Sequence, residues 1–146
     1  MGGWPEDLDW LQGFMDRHPN YVVDTSAAKW QIRELSKHPA RFRRFCEANP
    51  GRVLFGTDIV ANERMGNSIG FDLFASRFWA LRTLMETDYD GLSPIVDPDL
   101  NQVDPAVSKQ ATAQLRGAAL PETLLKKIYW ENAARVLGVE STDSKH

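Results

Sequence analysis

Apolar residues recur at helical spacing near the start of the chain, after Pro5 and before a break at residues 18–20. The recurring positions are Leu8, Leu11, Phe14 and Met15. This spacing predicts an amphipathic helix of about three turns, and proline suits the first turn of such a helix. Residues 21–25 follow as a short run rich in β-branched side chains and predict a strand.

The middle of the chain alternates predicted helices with predicted strands. Apolar side chains line one side of the segment from Ser26 to residues 49–51, and Pro39 divides that segment into two helices. Residues 52–57 lack polar alternation, which is typical of a strand covered on both faces. A further amphipathic stretch runs from residue 69 to about residue 85. This alternation of strands and helices predicts an α/β fold with a parallel sheet.

The last part of the chain combines a polar segment with a clear helix. Residues 90–117 are rich in Pro, Asp, Asn and Gln, with little periodicity beyond residues 92–96, and predict a long loop that is functional or mobile. A helix then begins at Pro121 and ends at Gly138, and residues 139–146 follow as a frayed tail. Its inward positions are predicted to be Leu124, Leu125, Ile128, Tyr129, Val136 and Leu137.

Composition narrows the class of protein. The 146 residues are 42% apolar and 25% charged, as in soluble globular domains, and no apolar run is long enough to cross a membrane. The net charge of -3 argues against nucleic acid binding, although Arg41, Arg43 and Arg44 form a local cluster. That cluster is interpreted as a solvated helix face, with polyanion binding as the alternative. Cys46 is predicted to be half-buried, and a single cysteine without a signal peptide predicts a cytoplasmic protein.

Asp58, directly after the strand predicted at residues 52–57, is the first candidate for function. Ligands and metals bind at the carboxyl ends of parallel strands, so a carboxylate there suggests chemistry. The alternative is that Asp58 caps the next helix or accepts backbone hydrogen bonds. The histidines His18, His38 and His146 lack metal-ligand spacing, and no phosphate loop, dinucleotide fingerprint or nucleophile elbow is present. These patterns disfavour a self-contained zinc site and serine chemistry.

Four motifs, in their order and spacing, resemble the C-terminal part of the amidohydrolase-related metal-dependent hydrolases. They are residues 1–4, 21–26, 52–58 and 128–138. The resemblance implies a partial (β/α)8 TIM barrel over residues 1–138, roughly the last three strand-helix units plus a C-terminal helix. In that family an aspartate at the end of strand eight contacts the metal and handles protons on the attacking water, and this residue corresponds to Asp58. Asn132 in the last motif is interpreted as structural.

The chain departs from the family at its metal ligands. Family members carry a His-x-His pair on strand one, a histidine on strand five and a histidine before the Gly-Gly of strand six, and none of these is present here. The leading hypothesis is the C-terminal part of an enzyme that uses a divalent metal, expected to be zinc, to activate water; some relatives decarboxylate instead. Asp58 would be general base and metal ligand, while Trp4, Asn62 and residues 90–117 would shape the pocket of a small-molecule substrate. Trp4 could equally be an apolar staple for the first helix.

A second hypothesis belongs to another class of protein. As it stands, the chain would be an inactive fragment, or a module that needs a partner chain carrying the missing metal ligands, and metal binding by the chain alone would be weak or absent. An open parallel sheet leaves two edges unpaired, and Val53 and Phe55 would need cover from elsewhere. We therefore predict self-association through the open sheet edges.

Overall fold

Helices and short strands alternate along the chain in the computed structural model, which describes residues 3–59 and 71–139. The elements are α1 (Leu8–Arg17), β1 (Val23–Asp24), α2 (Ala28–Leu35), α3 (Pro39–Ala48), β2 (Val53–Leu54), α4 (Phe71–Glu86), β3 (Asp90–Val96), α5 (Leu100–Val103), β4 (Thr112–Arg116), α6 (Glu122–Lys126), a π-helical turn (Lys127–Glu131) and α7 (Asn132–Leu137). The predicted division at Pro39 is confirmed, because α3 begins there. The predicted tail lies outside the described residues, apart from Val139.

Helix α1 follows the apolar pattern of its sequence. Asp7 caps it, since the Asp7 carboxylate accepts hydrogen bonds from the amides of Asp9 (3.1 Å) and Trp10 (2.8 Å). Leu8, Leu11 and Met15 are buried against the rest of the protein. The helix therefore presents its apolar face inward, as predicted.

Strands β1 and β2 form a parallel pair in which Val23 lies opposite Val53 and Asp24 opposite Leu54. Each strand has two residues and is shorter than its sequence pattern predicted. This pair and the helices around it confirm the α/β class in a coarse form. The described part of the chain contains two small sheets and no closed barrel, so the barrel stays a prediction.

The prediction that Val53 and Phe55 need cover from elsewhere is wrong. Val53 is 2% exposed, and Phe55 is half-buried, with ring centroids 5.8 Å from Phe78 and 5.1 Å from Tyr129. Helix α4 and the π-helical turn supply these two rings, so the chain covers the β2 side chains itself.

The prediction of a loop at residues 90–117 is also wrong, because β3 and β4 form an antiparallel hairpin in that region. Exposed Leu92, Pro94 and Val96 alternate with buried Ser93 and Ile95 along β3. A strand whose residues are alternately exposed and buried is expected to alternate polar and apolar residues in its sequence. Here the outward residues are apolar and one inward residue is serine, and this reversal hid the strand in the sequence.

An ion-pair network joins the end of this hairpin to α2. The Arg33 guanidinium donates to the Asp97 carboxylate at 2.6 Å and to Glu34 at 2.9 Å, and Lys37 contacts Glu34 at 2.5 Å. Burial opposes ionisation of Glu34, but hydrogen bonds from Lys37 and Arg33 outweigh it and lower the pKa of that carboxyl. Asp97 is 1% exposed, so the ion pair that joins the hairpin to α2 is largely shielded from water at its carboxylate end.

The closing helix runs from α6 through the π-helical turn to α7 and ends at Gly138, which has the positive φ of 67° typical of a helix end. The predicted burial of Leu124 and Ile128 is confirmed, whereas Val136 and Leu137 are 45% and 74% exposed and were wrongly placed inward. Within the wide turn, the Ile128 carbonyl accepts a hydrogen bond from the Phe55 amide at 3.0 Å. The helix is thereby tied to the end of β2.

Helix α3 carries the cysteine and the arginine cluster. Cys46 is fully buried rather than half-buried, and burial raises the pKa of its thiol to about 12. Arg43, which pairs with Glu47, and Arg44 are exposed, so the solvated-face interpretation is confirmed for these two residues, whereas Arg41 is half-buried and pairs with Asp9 of α1. Across the described residues, no helix is both long and apolar enough to span a membrane.

Candidate functional site

The carboxyl end of the parallel pair is held together by Thr25 and Gly56. The Thr25 hydroxyl donates to the Gly56 carbonyl and accepts from the Gly56 amide, both at 2.9 Å. Thr25 is 3% exposed, so this reciprocal pair is shielded from water. The side chain continues the ladder in which the Thr25 amide donates to the Leu54 carbonyl at 3.1 Å. It thus fixes the backbone that leads to Asp58.

Close backbone packing requires a glycine at position 56. A Cβ there would lie 2.6 Å from the Ser26 hydroxyl oxygen. Ser26 itself donates its amide to the Asp24 carboxylate at 2.8 Å. Burial opposes ionisation of Asp24, but hydrogen bonds from Ser26 help to lower the pKa of Asp24 below its ordinary value. The ends of the two strands therefore form one hydrogen-bonded unit.

Asp58 lies exposed just beyond this unit, at the carboxyl end of the strands. Its φ of 52° is left-handed, a conformation that is uncommon for residues other than glycine and is enriched for aspartate. The side chain lines a cleft of about 160 Å³ together with residues 27–30, Arg77 and Asp99. Among the described residues, no hydrogen bond to the Asp58 carboxylate is found, so the capping interpretation gains no support there.

Two half-buried cations, Lys29 and Arg77, line the same cleft. Within the described ranges neither lies within 4.0 Å of a carboxylate oxygen, and the cleft carboxylates of Asp58 and Asp99 are therefore not their ion-pair partners. Sequence reasoning missed both cations. The available signals were a lysine soon after the first strand and an arginine within an otherwise apolar stretch of α4.

The side chains of the described residues do not by themselves provide enough ligands to hold a metal ion tightly. In residues 3–59 and 71–139, no group of three or more His, Cys, Asp or Glu side chains is placed to hold an ion. His18 ends α1 and His38 precedes α3, so each of these histidines lies at a helix terminus. Catalytic zinc normally has three protein ligands, so Asp58 would need ligands from outside the described set.

The other predicted pocket residues are placed as follows. Trp4 is 48% exposed, and its ring lies 6.1 Å from Trp10 and 6.2 Å from Trp30, the latter of which lines the Asp58 cleft. From residues 90–117, Asp99 reaches the cleft. Asn62 lies outside the described residues. The structure therefore brings part of the predicted pocket segment to Asp58.

Asn132 is buried, and its side-chain amide donates to the carbonyls of Pro50 (3.0 Å) and Val53 (2.9 Å). Arg135, one turn later, donates to the Gly51 carbonyl. These bonds join α7 to the turn before β2 and to β2 itself. The structural interpretation of Asn132 is confirmed.

Fold and site together define an α/β protein with a carboxylate at the carboxyl end of a parallel strand pair. The family model described as Amidohydrolase matches residues 2–139. The chain belongs to this amidohydrolase family, which confirms the resemblance seen in its four motifs. The comparisons with curated proteins and with solved structures gave no match.

Proposed function

We propose that this chain supplies Asp58 to the catalytic centre of a metal-dependent hydrolase of the amidohydrolase type. The observation that carries the proposal is the position of Asp58, exposed in a cleft directly after β2, where parallel strands present catalytic groups. Membership of the amidohydrolase family supports hydrolase-type chemistry. In the family, the corresponding aspartate is a metal contact and a proton acceptor.

The chemistry assigned to Asp58 is general base catalysis. An ionised carboxylate can take the proton that a water molecule loses as its oxygen attacks an acyl carbon. The backbone of Asp58 is fixed by the Thr25–Gly56 pair two residues earlier, which limits how far the carboxylate can move. Hydrolysis is proposed ahead of decarboxylation, because the family description supports the hydrolase class.

The pocket is proposed to form around this carboxylate. Residues 90–117 contribute through Asp99, and Trp4 contributes indirectly through its contact with Trp30. The divalent metal, expected to be zinc, would use Asp58 together with ligands that the described residues do not provide. Metal binding by the 146-residue chain is therefore expected to be weak.

Metal titration tests the role of Asp58. We expect weak Zn²⁺ binding to the 146-residue chain by calorimetry, weakened further in Asp58→Asn and unchanged in Asp99→Asn, which alters a second carboxylate of the same cleft. We also expect no zinc-dependent hydrolysis of simple esters by the chain alone. Equal zinc binding by the wild type and Asp58→Asn would contradict the metal role.

A second candidate is an inactive fragment, or a module that works with a partner chain carrying the missing ligands. The observation that favours it is the small size of the parallel sheet, which has two strands of two residues each in the described part of the chain. Such short pairs are marginal without further strands or cover. Its test is the oligomeric state of the purified chain.

A further inference from the structure

Two neighbouring concavities share the same pair of cations. The cleft of about 160 Å³ at Asp58 is lined by Lys29 and Arg77, and so is a larger groove of about 830 Å³ between α4 and β3. The shared residues make the two spaces adjacent. A ligand held by these cations would therefore have the Asp58 cleft on one side and the groove on the other.

Within the described ranges, Lys29 and Arg77 lack the carboxylate partners that several other cations have. Several arginines elsewhere form ion pairs, namely Arg33 with Asp97, Arg41 with Asp9, Arg43 with Glu47 and Arg82 with Glu86. Lys29 and Arg77 are half-buried, and within the described ranges no carboxylate oxygen lies within 4.0 Å of either. Partly desolvated charges without a partner are unfavourable, so an anion from solution would be favourable at this point.

The carboxylates near Lys29 and Arg77 do not neutralise these cations as a bound anion would. Asp58 and Asp72 are exposed, and the Asp99 side chain is 50% exposed. Exposed charges act through water at high dielectric, which weakens their effect on the half-buried cations. The most favourable position for an anion is therefore between Lys29 and Arg77.

The groove beyond the cations is apolar. Leu92 and Val96 of β3 are 63% and 40% exposed, Trp79 of α4 is 46% exposed, and all three line the groove with Pro94. Its volume lies in the range of roughly 300 to 1,000 Å³ that is usual for small-molecule sites, which are also mainly apolar with a few polar groups. This combination fits an organic molecule with one charged end.

We infer that this region binds a small organic anion whose carboxylate or phosphate group lies between Lys29 and Arg77 and whose apolar body lies in the groove. This names a substrate class for the Asp58 site, and in that respect it rests on the proposed function. The binding itself requires neither metal nor catalysis, so it can be tested separately.

Calorimetric titration with three matched probes tests the inference. The probes are 2-naphthoate, 2-naphthyl phosphate and the neutral 2-naphthylmethanol, added to the full chain without metal. We expect at least one anionic probe to bind more tightly than the alcohol, and Lys29→Met and Arg77→Met each to weaken its binding about tenfold, the effect of losing one charge-assisted contact. Arg77→Lys, which keeps the charge, should retain most of the affinity. The matched control Arg44→Met removes an exposed cation elsewhere and should change nothing.

The outcomes separate the two proposals. A preference for naphthoate or for naphthyl phosphate supports the inference and identifies the anionic group. Equal binding of the alcohol and both anions, or anion binding that Lys29→Met and Arg77→Met leave intact, would overturn it. Asp58→Asn should leave anion binding unchanged or strengthen it, because a nearby negative charge is removed. Failure of the zinc test with retained naphthoate binding would count against the proposed function alone.

Discussion

At the scale of single residues, some features of the site come from neighbours in the sequence and others from residues far apart in it. Asp58 could be predicted as a candidate site residue because it directly follows its strand in the sequence. The Thr25–Gly56 pair joins residues 31 positions apart, so its geometry required the fold. Lys29 and Arg77 meet only because α2 lies beside α4. Local pattern therefore indicated the carboxylate and missed the cations next to it.

Gly56→Ala is expected to destabilise the protein through Ser26. The new Cβ would lie 2.6 Å from the Ser26 hydroxyl oxygen, which must rotate away, and we expect this crowding to cost about 1 kcal/mol. In the Ser26→Ala background the same substitution should cost less, since the obstructing oxygen is absent. Urea denaturation of the four proteins measures this coupling. Equal costs of Gly56→Ala in both backgrounds would show that Ser26 is not the obstacle.

At the scale of elements, helices α1 and α3 followed their sequence patterns, and the second sheet did not. Both helices bury apolar residues at the spacing that the sequence shows, whereas Phe74, Phe78 and Trp79 of α4 are 38%, 43% and 46% exposed. The β3–β4 hairpin carries apolar residues on its outer face, where they line the large groove, so its pattern resembled an irregular loop. A strand face in contact with water is expected to carry polar residues, whereas the outer face of this strand lines a groove and carries apolar ones.

Asp97→Asn is expected to weaken attachment of this hairpin to α2. The substitution keeps the side-chain shape but leaves the Arg33 guanidinium without its 2.6 Å charged partner. Removing one member of a buried pair costs about 3 kcal/mol or more, and the remaining contact with Glu34 and the 16% exposure of Arg33 reduce this to roughly 2 kcal/mol.

The matched control for this prediction is Asp90→Asn in the same hairpin. Asp90 and Arg116 are 63% and 48% exposed, so their pair should contribute less than about 1 kcal/mol. Urea midpoints compared at equal m-values measure both effects. Equal losses of stability in the two variants would rule out a special role for the Arg33–Asp97 pair.

At the scale of the whole molecule, apolar surface remains exposed beside the small parallel sheet. Trp4 and Trp10 are 48% and 52% exposed, and Trp10 stacks on Phe14 with ring centroids 5.5 Å apart. Helix α1 carries Trp10 and Phe14, and its buried Leu11 belongs to the same hydrophobic core as Val23 of β1. Exposed aromatic groups of this kind commonly mark contact surfaces. We propose that self-association through the open sheet edge also covers these rings.

Size-exclusion chromatography with light scattering should therefore give a mass above the 16.5 kDa of one chain. Trp10→Glu is expected to shift the protein towards the monomer, because burying an added carboxylate in the contact is unfavourable. Trp130→Glu is the matched control, since Trp130 is similarly exposed at 55% but lies in the π-helical turn, which packs against β2. A monodisperse 16.5 kDa wild type would contradict self-association. An associated protein that responds equally to both substitutions would place the contact elsewhere than α1 and the β1 edge.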